Sequence, residues 1–308
     1  MSKLFALLCI LVTMVLLLIG SRSAVRAASA PPVTALDNGS KIIMDNGTVT
    51  LEILKAKSEI VSVKYRHQGQ TTEMYKTMYY SASAGPTDRN VPRPPGGSIQ
   101  IRQNQPTHLA RIGPDSAEVV MENGPTPTYP FHTEIHYVLP RGESGYYAYQ
   151  LYSHPADQPA ATIGEARFVL KGSPGPILYT THVIDALRMT PYNVSPIVRT
   201  VSDATYLLQD GSIYTKYDNT TLMADAGGEH HVHGMTGHGV GIWMVNASNE
   251  YINGGPIKQE LTVHADNTLQ NMLQGAHFGS GVLNFTAGEF WTKCYGPFLV
   301  YLNNGIST

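Results

Sequence analysis

The chain has 308 residues, room for one large domain or two small ones. Apolar residues make up 42% and charged residues 14%, so a sizeable core is available and wholesale disorder is excluded. Lys and Arg total 21 against 23 Asp and Glu, and this net charge of −2 excludes the broad basic surface of a general nucleic-acid binder.

The first thirty residues read as a leader rather than as part of the fold. Lys3 precedes an apolar run from Leu4 to Ile19, followed by small and polar residues with Val25-Arg26-Ala27 as a cleavage site. That is the layout of a secretory signal peptide over residues 1–27, and the run is shorter than the ~20 residues a membrane span needs. Cleavage removes Lys3, Arg22 and Arg26 and no acid, taking the charge from −2 to −5. It also removes Cys9, so Cys294 stands alone and is expected as a buried apolar filler between Trp291 and Phe298. Asn-x-Ser/Thr sequons at Asn38, Asn46, Asn193, Asn219, Asn246 and Asn284 accord with secretion and mark candidate glycan sites.

From Thr48 to Leu302 the chain is a series of short β-rich runs bounded by Gly, Pro and Asn. They include Thr48–Leu54, Ile60–Tyr65, Ser98–Arg102, Ala117–Met121, Thr133–Leu139, Tyr146–Tyr152 and Ala166–Lys171. Further runs are Ser212–Tyr217, Gly239–Val245, Glu260–Val263, Gly281–Phe285 and Phe298–Leu302. No run of twelve residues keeps a helical period. Ser81–Gly97 is the most loop-like stretch and the expected site of first proteolysis. No linker divides the chain, so residues 28–308 are expected to form a single all-β domain, a large antiparallel sandwich.

Candidate chemistry lies in three stretches. Along the strand Glu165–Lys171, alternation puts Arg167, Val169 and Lys171 on one face, the two cations ~13 Å apart. They suit an acidic polymer, although a solvated strand face has the same pattern. In Tyr214-Thr-Lys-Tyr-Asp218, Lys216 shares a face with Tyr214 and Asp218. Desolvation there would make it a usable base, and a snorkelling lysine paired with Asp218 is the alternative. In the histidine-rich stretch 227–238, His231 and His233 alternate beside Glu229, as a metal site or a hydrogen-bonded loop would have them. His277 sits apart, between small residues in Gln274-Gly-Ala-His-Phe-Gly279. No nucleophile-elbow, zincin, P-loop or paired-cysteine signature is present in the sequence.

The C-terminal third resembles the rhamnogalacturonan lyases of polysaccharide lyase family 4. The matching motifs are YTKYD (214–218), VHG (232–234), GVGIWMVNASNEYINGGPIKQELTVH (239–264), GAHFG (275–279) and GEFWTKCYGPFLVYLNNG (288–305). HYVLPRGESGYYAYQLYSH (136–154) and GEARFVLK (164–171) fit more loosely, and near the start only LDNG (36–39) matches. The resemblance implies a galactose-mutarotase-like β-sandwich and an endolyase that cleaves rhamnogalacturonan I, a pectic polysaccharide, by β-elimination. By motif it assigns Lys216 and His277 as catalytic and Arg167 and Lys171 as substrate-binding, relatives carrying arginine at the last position. Family members continue into further domains, whereas this sequence ends at Thr308, so the catalytic domain alone is expected.

The implied chemistry suits these residues. A base takes the proton at C5 of galacturonate and an acid protonates the leaving oxygen at C4. Cations must first offset the adjacent carboxylate, a part for Arg167 and Lys171. Lys216 is the expected base and His277 the expected acid. Catalysis on this scheme uses no metal or cofactor. A secreted monomer is expected, with no nucleic-acid partner and no membrane attachment after cleavage. The alternative is a silent carbohydrate-binding relative of the same fold.

Overall fold

The computed structural model describes residues 30–75, 77–88, 90–91, 106–171, 180–184, 187–188, 196–203, 205–215, 220–222, 232–247, 259–261, 263–264, 268–274 and 282–305. Among them the regular structure is all strand apart from one 3-10 turn, Lys55–Lys57. No helix among the described residues is long and apolar enough to cross a membrane.

Two large antiparallel sheets face each other. The ten-stranded first sheet runs Thr34–Asp37, Lys41–Asp45, Val49–Leu54, Glu59–His67, Met78–Pro86, Ala161–Lys171, Thr268–Gln274, Val263–His264. Gln70–Tyr75 pairs off Glu59–His67, and Leu283–Phe285 off Ala161–Lys171. The nine-stranded second sheet runs Leu187–Arg188, Thr180–Ile184, Val232–Gly237, Val240–Asn246, Trp291–Asn303, Gly145–His154, His132–Pro140, Ser116–Asn123, Thr107–Ile112. Ile197–Ser202, Thr205–Leu208 and Ile213–Thr215 form a separate three-stranded sheet.

Alternation along each strand sends one set of side chains into a shared interior. Ile42, Leu51, Tyr80, Phe168 and Leu170 come from the first sheet, and Val119, Ile135, Tyr137, Ile242 and Phe298 from the second, into one buried cluster. Phe168 is its hinge point. Its ring lies 4.9 Å from Tyr80 in its own sheet, and 5.0 Å from Phe298 and 6.4 Å from Tyr137 in the other. Burying such a ring contributes roughly 1.5–3 kcal/mol over leaving it exposed. The expectation of an all-β antiparallel sandwich is met.

Two local expectations are corrected. Ser81–Pro86 is not loop: it is the second half of the strand Met78–Pro86, paired along Ala161–Leu170. Ala82 and Ala84 point into the core, and small side chains are what this tightly covered strand admits. Cys294 is exposed rather than a core filler. Its strand pairs Tyr295 with Gln150 and Phe298 with Ala148, so two residues stand against one. This bulge at Gly296-Pro297 flips the parity, and both Tyr295 and Phe298 face inward while Cys294 faces out. Gly296 has φ +98°, and a Cβ there would lie 2.9 Å from the Ala148 carbonyl, so only glycine fits.

The sequons also divide by structure. Asn38 and Asn284 are exposed. Asn46 is buried: its Nδ2 donates to the carbonyls of Pro140 (2.7 Å) and Glu143 (2.9 Å), and its Oδ1 accepts from the backbone of Thr48 and Val49. Asn246 is buried too, accepting from Asn271 Nδ2 at 3.0 Å across the interior. Asn193 and Asn219 lie outside the described residues.

A second polar bond also joins the sheets. His233, on the strand Val232–Gly237, donates from Nε2 to the Gln270 carbonyl at 2.7 Å. Burial disfavours the imidazolium and pushes its pKa down to about 4, against the partly offsetting effect of that carbonyl. The unfolded chain therefore takes up the proton first as pH falls. Stability should be full above about pH 6.5 and fall by up to ~3 kcal/mol between there and pH 4 on this residue's account. Urea midpoints at pH 7 and 4.5 should show a larger drop for the native chain than for His233→Gln. Asn46→Ala should cost roughly 2–4 kcal/mol in the same assay at pH 7, because it strands two carbonyls and two amides.

Candidate functional site

Ala161–Lys171 is flanked in the first sheet by Met78–Pro86 and Thr268–Gln274. A register irregularity at Ile163/Glu165 leaves Gly164 as an extra residue in this strand and resets its alternation, while the one at Ala166/Arg167 leaves Leu273 extra in the partner strand. Ile163 faces the core before Gly164, and Ala166, Phe168 and Leu170 face it afterwards. Glu165, Arg167, Val169 and Lys171 consequently share the outer face, as alternation predicts for the last three. Ser81 and Met272 are the cross-strand neighbours of Arg167, and Tyr79 and Gln270 those of Val169. Lys171 is exposed at the strand end.

Arg167 is not a bare cation. Its Nε donates to Ser81 Oγ at 3.3 Å and its Nη1 lies 3.1 Å from Glu165 Oε1. Both side chains are largely covered, at 25% and 18% exposure, so the pair is screened less than a surface ion pair. The carboxylate and the serine hydroxyl together hold the guanidinium, and the carboxylate offsets part of its field. Glu165 was visible in the sequence but received no role there. Counting back two residues from Arg167 along the strand would have found it.

Lys216 and His277 lie outside the described residues. Their chain neighbours are placed. Tyr214 is buried and stacks on Tyr206 with centroids 6.3 Å apart at 9°, and Thr215 Oγ1 meets Thr205 Oγ1 at 2.9 Å. Gln274 ends the strand beside Arg167 and stands opposite Ala166, three residues before His277. Of the histidine-rich stretch, His231 and Glu229 lie outside the described residues, while His233 is turned into the core onto Gln270. His238 and Gly239 form the two-residue turn between paired Gly237 and Val240, both with positive φ.

A second cluster, absent from the sequence reading, occupies the outer face of the second sheet. His132, Glu134 and His136 alternate on one strand, with Glu118 and Glu122 on the next. His136 bridges Glu118 Oε1 (2.9 Å, from Nδ1) and Glu134 Oε2 (3.0 Å, from Nε2), its ring stacked 4.2 Å over Tyr149. Tyr149 donates to Glu118 Oε1 at 2.8 Å, and Arg111 stands 3.4 Å from Glu118 Oε2. Burial raises the Glu118 pKa, but the hydrogen bonds of Tyr149 and His136 outweigh it and hold the carboxyl below its usual range. Glu134 is lowered chiefly by its hydrogen bond from His132. The signal was H-x-E-x-H at strand spacing.

No protein-family model matches the chain. Among solved structures, a galactose mutarotase-like protein from Lactobacillus casei overlays 85% of this chain and all of its own at TM-score 0.48 and 9% identity. The Slr1438 protein from Synechocystis overlays 89% at TM-score 0.46. Among curated proteins, the chain is 24% identical over 94% of its length to rhamnogalacturonate lyase B of Emericella nidulans. A "probable rhamnogalacturonate lyase B" of Aspergillus flavus is 34% identical over 34% of the chain. The chain spans less than half the length of the relatives it matches along most of its own length, 43% and 45%. Over 88% of its residues it is 29% identical to a protein named rhamnogalacturonate lyase from Dickeya dadantii, and its similarity is to that family of lyases.

Proposed function

We propose that this β-sandwich is the catalytic unit of a secreted endolyase that cleaves the rhamnose–galacturonate backbone of rhamnogalacturonan I by β-elimination. The observation that carries the reading is the similarity, over 88% of the chain, to a rhamnogalacturonate lyase. The outer face bearing Arg167 and Lys171 supports it chemically. Residues 1–27 are the cleaved leader in this reading, and the enzyme acts as a monomer on the polymer.

In the proposed step a galacturonate carboxylate approaches Arg167 and Lys171. Their charge lowers the cost of placing a second negative charge beside it as the C5–H bond breaks. Lys216, unprotonated, takes that proton. The electron pair forms the C4–C5 double bond, the C4–O bond breaks, and His277 protonates the departing rhamnose oxygen. One proton is taken and one given, so no oxidant, reductant or water is consumed. Ser81 and Glu165 fix the guanidinium before substrate arrives, which cuts the ordering cost of a bidentate contact. Glu165 also tempers the field, so that product, which keeps its carboxylate, is released.

Purified chain mixed with rhamnogalacturonan I should generate the ultraviolet absorbance of an unsaturated uronate. Lys216→Ala and His277→Ala should each lower turnover by orders of magnitude with polymer binding nearly intact, and the double variant should be little worse than either alone. Arg167→Ala should weaken both binding and turnover. Full activity after chelation is expected. Polymer binding by the native chain with no absorbance would establish the silent relative instead. Near-native turnover in Lys216→Arg would make His277 the base.

A further inference from the structure

We propose that Glu122, His132 and Glu134, on the outer face of the second sheet, form a binding site for a borderline divalent transition ion of the zinc type. The site is independent of the lyase reading. The inward residues of both sheets meet in one core, so this face and the Arg167 face point in opposite directions.

Register makes the argument. Glu122 and Glu134 are direct cross-strand partners, and their side chains share the outer face. Like charges directly opposite each other destabilise a sheet pair, so the pairing favours a bridging donor or cation. What lies between them is His132, whose Nε2 stands 3.0 Å from Glu134 Oε1 and 3.7 Å from Glu122 Oε1. One ligand atom from each of the three falls within 4.8 Å of the others. A tetrahedral ion with bonds of ~2.0–2.1 Å to nitrogen and oxygen sets its ligand atoms ~3.3 Å apart, between the two His132 distances. The groups therefore need only small rotations to close on an ion.

The surroundings fit a cation site. His136 binds the second oxygen of Glu134 and is itself held by Glu118, which Tyr149 and Arg111 hold in turn. Such outer hydrogen bonds fix a ligand's orientation and raise affinity. Exposures of 48%, 28% and 30% for Glu122, His132 and Glu134 leave the fourth position open to water. An imidazole with only two carboxylates suits zinc, nickel or cobalt rather than calcium or magnesium, which call for more oxygen ligands.

The test is calorimetric titration of the full, untagged chain, stripped by chelator, with zinc chloride and in parallel with calcium chloride. Zinc should bind at one equivalent, and calcium at least tenfold more weakly. His132→Ala and Glu134→Gln should each weaken zinc at least about tenfold, and the double variant should lose one equivalent. Glu118→Gln, which touches no ion, should weaken it by a smaller factor through His136. Thermal melts verify folding, and the more exposed Glu122→Gln replaces any variant that fails. No zinc binding by the native chain would mean that His132 bridges the two acids by its own contacts alone, and would overturn the proposal. So would a double variant with native stoichiometry and affinity, which would move the ion to the histidine-rich stretch 227–238. Pectin cleavage plays no part in the readout, so this proposal and the lyase reading fail separately.

Discussion

The ring of Phe168, held 5.0 Å from Phe298 across the two sheets, decides which way its neighbours point. Consecutive strand residues face opposite sides, so seating that ring in the core forces Arg167 and Val169 outward. A slip of one residue would bury the guanidinium and expose the phenyl ring, two costs in one step. The irregularities just upstream are part of the same constraint. Without the one at Ile163/Glu165, the parity that buries Ile163 would turn Ala166 outward and carry Glu165 and Arg167 together to the core side.

The two outer faces spend charge differently. On the first, among the described residues, Glu165 partly offsets Arg167, and Lys171 adds a second, exposed cation on the same strand face. On the second, three glutamates are knitted by two histidines, one arginine and one tyrosine hydroxyl. A chain with net charge −2 offers no long-range attraction to an acidic polymer. Any preference for such a polymer has to come from short-range contacts, screened little because they are partly covered.

Sequence pattern revealed strands well where one face is apolar and the other polar. Thr133–Leu139, with Glu134 and His136 between Ile135, Tyr137 and Leu139, stands in the structure as part of His132–Pro140; Tyr146–Tyr152, part of Gly145–His154, was marked instead by its four tyrosines, since Gln150 lies on its buried face and Leu151 on the other. Thr268–Gln274 escaped notice because it is buried on both faces yet carries the polar Gln270, Asn271 and Gln274, of which Asn271 donates to Asn246 inside the fold. Ser81–Pro86 escaped because serine, alanine, glycine and proline spell a loop until a covering neighbour is known. Cys294 was misplaced because a bulge changes parity without any local periodic signal. Arg167 and Lys171 on one face followed from counting by two. Glu122 opposite Glu134 did not, since register between strands is a long-range property. Lys216 and His277 were singled out chiefly by motif resemblance.

The strand Trp291–Asn303, thirteen residues long, is last in chain order among the described strands and sits in the middle of the second sheet. On one side it pairs with Val240–Asn246 and on the other with Gly145–His154. During synthesis both of those partners emerge well before it. Until it arrives, each presents an unpaired hydrogen-bonding edge, and the Phe168 ring lacks Phe298. The sandwich consequently closes late, like a book whose spine is bound after the pages. A nascent chain stalled short of residue 291 would be prone to edge-to-edge association.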